Sequence, residues 1–146
     1  MPISSEMVLP KTRDASEFED MICDVCTKKY KREFQRYGRS GQKQNGIDII
    51  SDEKEMICVQ CKNFKLSIKI VEKIINDAEN FTFSFKEFII ATSSPRDNKL
   101  QDYVEEINNN KYRFIIKIMF WDEITTIVVS HKKLYKKYYL ILLEKK

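Results

Sequence analysis

The sequence predicts an α/β protein in which a mixed central β-sheet, built around a hairpin, is covered by helices on both faces. Three observations predict it. Segments with apolar residues every three or four positions alternate with short β-branched and aromatic runs. Their order is helix, hairpin, helix, strand, helix, strand, helix, the succession that buries a sheet between helical layers. The chain's three glycines, Gly38, Gly41 and Gly46, all fall in one loop ahead of the hairpin, so the backbone needs unusual freedom there. At 146 residues the chain has the size of a single domain.

Residues 1–14 carry Pro2 and Pro10 without any period and read as an arm. Phe18, Ile22, Val25, Cys26, Tyr30, Phe34 and Tyr37 then recur at helical spacing, which predicts one long helix ending near Gly38. Ser16-Glu17-Phe18-Glu19 reads as its capping box. Ile47 to Ile50 and Met56 to Cys61 are strand-like runs joined through a polar turn, a hairpin. A helix capped by Ser67 follows, with Ile68, Val71, Ile74, Ile75 and Ala78 on one face. Phe85 to Ala91 is short, aromatic and β-branched, a buried strand that stops before Pro95. Asp97 caps a third helix striped by Leu100, Tyr103, Val104 and Ile107. Arg113 to Phe120 is the last strand-like run, and Trp121-Asp122-Glu123-Ile124 opens another helix. Lysines alternate with Leu134, Tyr135, Tyr138, Tyr139 and Leu142 in the tail, which reads as a basic helix or a linker.

Composition removes several classes. With 42% hydrophobic and 33% charged residues the chain is too apolar to be disordered and too charged to cross a membrane. Its first residues lack the layout of a signal peptide, so a cytoplasmic location is expected. A net charge of +4 is compatible with nucleic acid without establishing it. A single histidine, His131, excludes nucleases and hydrolases that need paired imidazoles. No Walker-type phosphate loop occurs. Cys23-Asp-Val-Cys26 and Cys58-Val-Gln-Cys61 spell two zinc-knuckle spacings. Neither unit contains or adjoins the glycine or proline of a tight turn, and one falls in a helix, the other in a strand. They read as reduced, buried thiols.

Chemistry concentrates in the hairpin. On its second strand Cys58, Gln60 and Lys62 alternate onto one face, Val59 and Cys61 onto the other. Asp48, on the antiparallel neighbour, is placed to meet Gln60 and Lys62. A carboxylate, a carbonyl oxygen and an ammonium together are what metal-assisted phosphodiester hydrolysis uses: oxygen ligands for a hard cation and a positive group for the attacking water or the developing charge. Taken alone, each has a plainer reading. Asp48 could bond its own turn, Lys62 could be a solvated edge charge, Gln60 a structural amide.

Tyr37-Gly38-Arg39-Ser40-Gly41-Gln42-Lys43-Gln44-Asn45-Gly46-Ile47-Asp48-Ile49, followed by Val59-Gln60-Cys61-Lys62, resembles the catalytic hairpin of Mrr-like endonucleases, a branch of the PD-(D/E)XK restriction-endonuclease superfamily. Phe18-Glu19, Ala78, Phe81, Ala91-Thr92 and Trp121-Asp122-Glu123-Ile124 extend the resemblance over residues 15–127. It implies a restriction-endonuclease-like core, with residues 1–14 as an N-terminal arm, 15–130 as the nuclease domain and 131–146 as the basic C-terminal helix or linker.

By this resemblance Asp48 is the metal-binding aspartate, Gln60 stands where the superfamily usually has a second acid, Lys62 is the catalytic lysine and Glu19 the helix-borne acid. Glu19 also lies on the side of Ile22, Cys23 and Cys26, whereas Asp20 aligns with polar Ser16, Asp24 and Thr27. Glutamine is familiar at this place in the Mrr-like branch, though a neutral amide is a weaker Mg²⁺ ligand than a carboxylate. The implied activity is Mg²⁺-dependent endonucleolytic cleavage of DNA, with Mn²⁺ as substitute. The implied partners are duplex DNA and a second copy or larger assembly, with a fused or activating sensor or ATPase region, in a defence role. Arg39, Lys43 and Lys65 are positioned to meet phosphates. Two other readings stand beside it: a Holliday-junction-resolvase-like nuclease, and a non-cleaving nucleic-acid-binding or zinc-stabilised interaction module, the zinc held by the four cysteines.

Overall fold

A computed structural model describes residues 9–12, 14–37, 46–52, 55–81, 84–109 and 113–144, with side chains as far as Tyr139. In chain order the elements are α1 (Ala15–Tyr30), β1 (Phe34–Arg36), β2 (Ile49–Ser51), β3 (Ile57–Lys62), α2 (Ile68–Ala78), β4 (Glu87–Thr92), α3 (Asn98–Asn108), β5 (Ile115–Met119), α4 (Trp121–Ser130) and α5 (Lys132–Glu144). One five-stranded sheet runs β1-β2-β3-β4-β5. The first three strands are antiparallel neighbours, and β3, β4 and β5 run parallel. The sheet is mixed and both faces are covered, as the sequence predicts.

Alternation along the strands divides the core in two. Ile49, Val59, Ile89, Ala91 and Met119 face α1, α4 and α5. Cys58, Phe88, Ile90 and Ile116 face α2 and α3. Phe18, Met21, Ile22 and Val25 of α1 are essentially fully buried, each contributing about 1.5–3 kcal/mol by leaving water. Leu9 packs into the same layer, and its carbonyl accepts from the indole of buried Trp121 at 3.1 Å, so Trp121 is a core residue. The tail is helical: Leu134 and Tyr139 pack in that layer, and the Tyr139 hydroxyl donates to the Pro10 carbonyl at 2.8 Å. Among the described residues no helix is long and apolar enough to cross a membrane.

The sequence-based expectation fails at two ends of α1. The helix stops at Tyr30, where Lys31 turns left-handed (φ 54°), and residues 34–36 form β1, antiparallel to β2 with Phe34 opposite Ser51 and Arg36 opposite Ile49. Phe34 keeps helical spacing to Tyr30 yet is buried as a strand residue; spacing alone does not separate the two. The cap is Asp14, whose carboxylate accepts from the Glu17 amide at 2.8 Å, so Ser16 and Glu19 form no capping box. Glu19 is therefore free of a capping duty. Ile68 also departs from expectation, being 44% exposed rather than part of the buried α2 stripe, because it occupies the first helical position, beyond the sheet. Ser67 and Asp97 cap α2 and α3 as expected.

Candidate active site

The hairpin of β2 and β3 pairs Ile49 with Val59 and Ile50 with Cys58. Asp48 stands one residue before β2, and both its backbone groups are committed. Its amide donates to the Val59 carbonyl at 2.8 Å, and its carbonyl accepts from Tyr37 at 2.7 Å. Its carboxylate Oδ2 accepts from the Cys61 amide at 2.8 Å, taking over the ladder where the β2 backbone turns away. Three anchors thus fix the aspartate, two against β3 and one from Tyr37, just past β1. Burial raises its pKa above its ordinary value, while the Cys61 hydrogen bond and the charges of Lys62 and Arg36 oppose that rise.

Gln60 is 6% exposed, so its amide must be satisfied inside the protein. With the amide turned so that donor meets acceptor at each end, its nitrogen donates to the Gly46 carbonyl and its oxygen accepts from Lys62 Nζ at 3.1 Å. Gly46 has φ +77°, and a Cβ there would lie 3.2 Å from this amide and 3.4 Å from Asp77 Cβ. Glycine is required at this position both by its left-handed conformation and by the closeness of Gln60. The Gly46 carbonyl also gives a physical reason for an amide rather than a carboxylate at position 60. An ionised carboxylate has no donor to offer that oxygen.

Glu19 approaches from α1. Its carboxylate ion-pairs with Arg36 at 2.6 Å, and the same guanidinium reaches Asp20 at 3.1 Å and the Ser16 hydroxyl at 3.2 Å. Partial burial raises the Glu19 pKa first, and the negative charge of Asp48 raises it further against the pull of Arg36. Asp48 is thus in electrostatic reach of both Glu19 and Lys62. Sequence reasoning missed Arg36 because it placed residues 34–37 in the helix. The signal was available in Phe34-Gln35-Arg36, one inward residue followed by polar ones after a charged break.

Glu19, Asp48 and Gln60 offer two carboxylates and an amide oxygen, hard donors suited to Mg²⁺, which keeps several waters. The mutual repulsion of Glu19 and Asp48 is what a cation would relieve. Among the described residues no three His, Cys, Asp or Glu side chains gather as a metal cage. The four cysteines are free and do not converge on one point, since Cys58 packs in the α2/α3 layer while Cys23, Cys26 and Cys61 belong to the α1 layer. Lys65 is exposed just beyond β3. Arg39 and Lys43, with Gln42 and Gln44, lie outside the described residues.

No family model matches this sequence, and no curated protein matches it. The fold does have a solved counterpart, and that counterpart is a restriction endonuclease. The chain is similar to the MspJI restriction endonuclease solved in complex with a 27-mer oligonucleotide, with a TM-score of 0.52 and 13% sequence identity. The similarity covers 84% of this chain and 28% of that one, so this chain spans less than a third of that protein's length. At this identity the likeness concerns the fold alone.

Proposed function

We propose that this protein is a metal-dependent endodeoxyribonuclease of the Mrr-like type, with Asp48, Gln60, Lys62 and Glu19 as its active centre. One observation carries the reading: Lys62 Nζ lies 3.1 Å from the Gln60 amide oxygen, with the anchored Asp48 carboxylate, just ahead of the neighbouring strand, in electrostatic reach of that ammonium. The restriction-endonuclease fold supports DNA as the substrate.

Asp48 and Glu19 would hold Mg²⁺ or Mn²⁺ with the Gln60 oxygen. The ion would polarise the scissile phosphate and lower the pKa of a bound water. Lys62 orients the attacking water and offsets negative charge as the water oxygen bonds to phosphorus and the phosphorus–ester bond breaks. The Cys61 amide keeps Asp48 in one orientation, so no reorganisation is needed as charge develops. The same reading makes duplex DNA the substrate. It implies action as a homodimer or within a larger assembly, because one such centre cuts one strand. A defence role under a sensor or ATPase region belongs to the same reading.

Plasmid nicking with added Mg²⁺ or Mn²⁺ tests it. The wild type converts supercoiled DNA to nicked and linear forms, and Lys62→Ala and Asp48→Ala each lose about 10²–10³ in rate. Wild-type cleavage by Lys62→Ala, or cleavage indifferent to EDTA, overturns the assignment.

A further inference from the structure

The connection between β3 and α2 leaves the sheet immediately beyond Lys62, and its side chains part company there. Leu66 turns inward and is buried at 3% exposure, while Phe64 and Ile68 stay out at 46% and 44%. Among the described residues the large exposed hydrophobics are these two and Ile115, so two of the three flank one turn beside the candidate active site. The loop that carries Phe64 is held: the Thr92 hydroxyl at the end of β4 donates to the Phe64 carbonyl at 2.8 Å, and Ser67 caps the helix that follows. A pinned backbone that still points a phenyl ring at solvent forgoes the gain of burying it. Something that reaches the site can collect that gain.

Charge indicates what. Residues 62–73 carry Lys62, Lys65, Lys69 and Lys73 against one acid, Glu72, and Lys65 and Lys69, each next in sequence to one of the two apolar residues, are exposed. Lys62 Nζ sits 5.8 Å from the centre of the Phe64 ring, so the ring lies beside the ammonium that would meet the scissile phosphate. A polymer that alternates phosphates with flat apolar rings matches a surface that alternates ammoniums with an exposed phenyl. Acidic protein partners would match the lysines but leave the ring without a stacking counterpart.

Resting on the nuclease reading above, we propose that Phe64 is a stacking platform for a nucleobase adjoining the scissile phosphate, with Ile68 extending its apolar surface and Lys65 and Lys69 holding the flanking phosphates. The base that stacks there has left its neighbours in the DNA strand, so the substrate is opened or distorted at the cleavage step. Lys62 at the end of β3 and Phe64 two residues beyond it then divide the nucleotide between them: charge to the phosphate, ring to the base.

Fluorescence titration of Phe64→Trp, in an Asp48→Asn background that prevents cleavage, tests this directly. Because residue 64 is exposed, the substitution leaves the core untouched. The fluorescence of the indole introduced there, read as the difference from the Asp48→Asn protein that keeps only Trp121, is quenched when a short oligodeoxynucleotide is added and is not quenched by inorganic polyphosphate, which brings charge without bases. Phe64→Ala weakens oligonucleotide binding about tenfold and leaves its salt dependence unchanged, whereas Lys65→Ala and Lys69→Ala each lower the salt slope by about one. An unquenched indole together with full affinity of Phe64→Ala, in a protein whose wild type binds and cuts DNA, overturns the platform and leaves the nuclease standing. Loss of a dimer in Phe64→Ala without loss of DNA affinity makes the patch a subunit interface and also overturns it. A wild type that neither binds nor cuts DNA removes both readings.

Discussion

The carboxylate of Asp48 accepts the backbone N–H of Cys61 at 2.8 Å, so one side chain both finishes the hairpin's hydrogen-bond ladder and stands at the candidate metal site. The two duties separate by substitution. Asp48→Ala leaves the Cys61 amide without a partner and costs about 1–3 kcal/mol. Asp48→Asn keeps an acceptor and removes a carboxylate that burial disfavours in its charged form, so thermal unfolding without metal occurs at or above the wild-type temperature. Neither variant shows the stabilisation by Mg²⁺ expected of the wild type. A Mg²⁺ shift retained in Asp48→Asn would take this residue out of the metal site.

Gln60 is held between the Gly46 carbonyl and Lys62 Nζ. Gln60→Glu supplies a charged oxygen ligand, yet sets a carboxylate oxygen against the Gly46 carbonyl. The expected cost without metal is about 1–3 kcal/mol, narrowing as Mg²⁺ is added because a carboxylate is the stronger ligand. Unfolding curves with and without Mg²⁺ measure both, and an unchanged midpoint without metal would deny the bond to Gly46.

Arg36 occupies the Glu19 carboxylate at 2.6 Å while its own side chain is 42% exposed. A pair this open to solvent contributes little, so Arg36→Gln costs at most about 1 kcal/mol. Removing a cation from beside Glu19 should tighten Mg²⁺ binding, roughly 2–10-fold. Isothermal titration of the two proteins reads the difference, and equal affinities would disconnect Arg36 from the site.

Burial pushes the thiols of Cys26 and Cys58 up to about 12 from an ordinary 9.0. Their folded-state values lie above those of the unfolded chain, so the stability they contribute is complete below pH 9.0. It is lost as the pH climbs through the raised values, because the unfolded chain releases these protons first. Denaturant unfolding across the alkaline range should show this decline, shallower in Cys26→Ala than in the wild type. Parallel declines in the two proteins would mean that Cys26 ionises in the native state as readily as in the unfolded one.

Amphipathic spacing in α2 and α3, the aromatic and β-branched run of β4, and the caps at Ser67 and Asp97 made those elements legible from the sequence, because each follows from neighbours within a few residues. The alternation that puts Gln60 and Lys62 on one face was legible for the same reason: a strand has a period of two whatever surrounds it. Tertiary structure alone decided where α1 stops. Phe34 satisfies a helical spacing and a strand burial equally, and pairing with Ser51, far along the chain, settles it. The same long-range pairing swings Arg36 onto Glu19 and Asp20 and lets Gly46 meet Gln60. The sequence by itself determined which chemical groups the hairpin carries; only the folded chain decided which charges and amides stand next to them, because those contacts join segments whose separation no local period records.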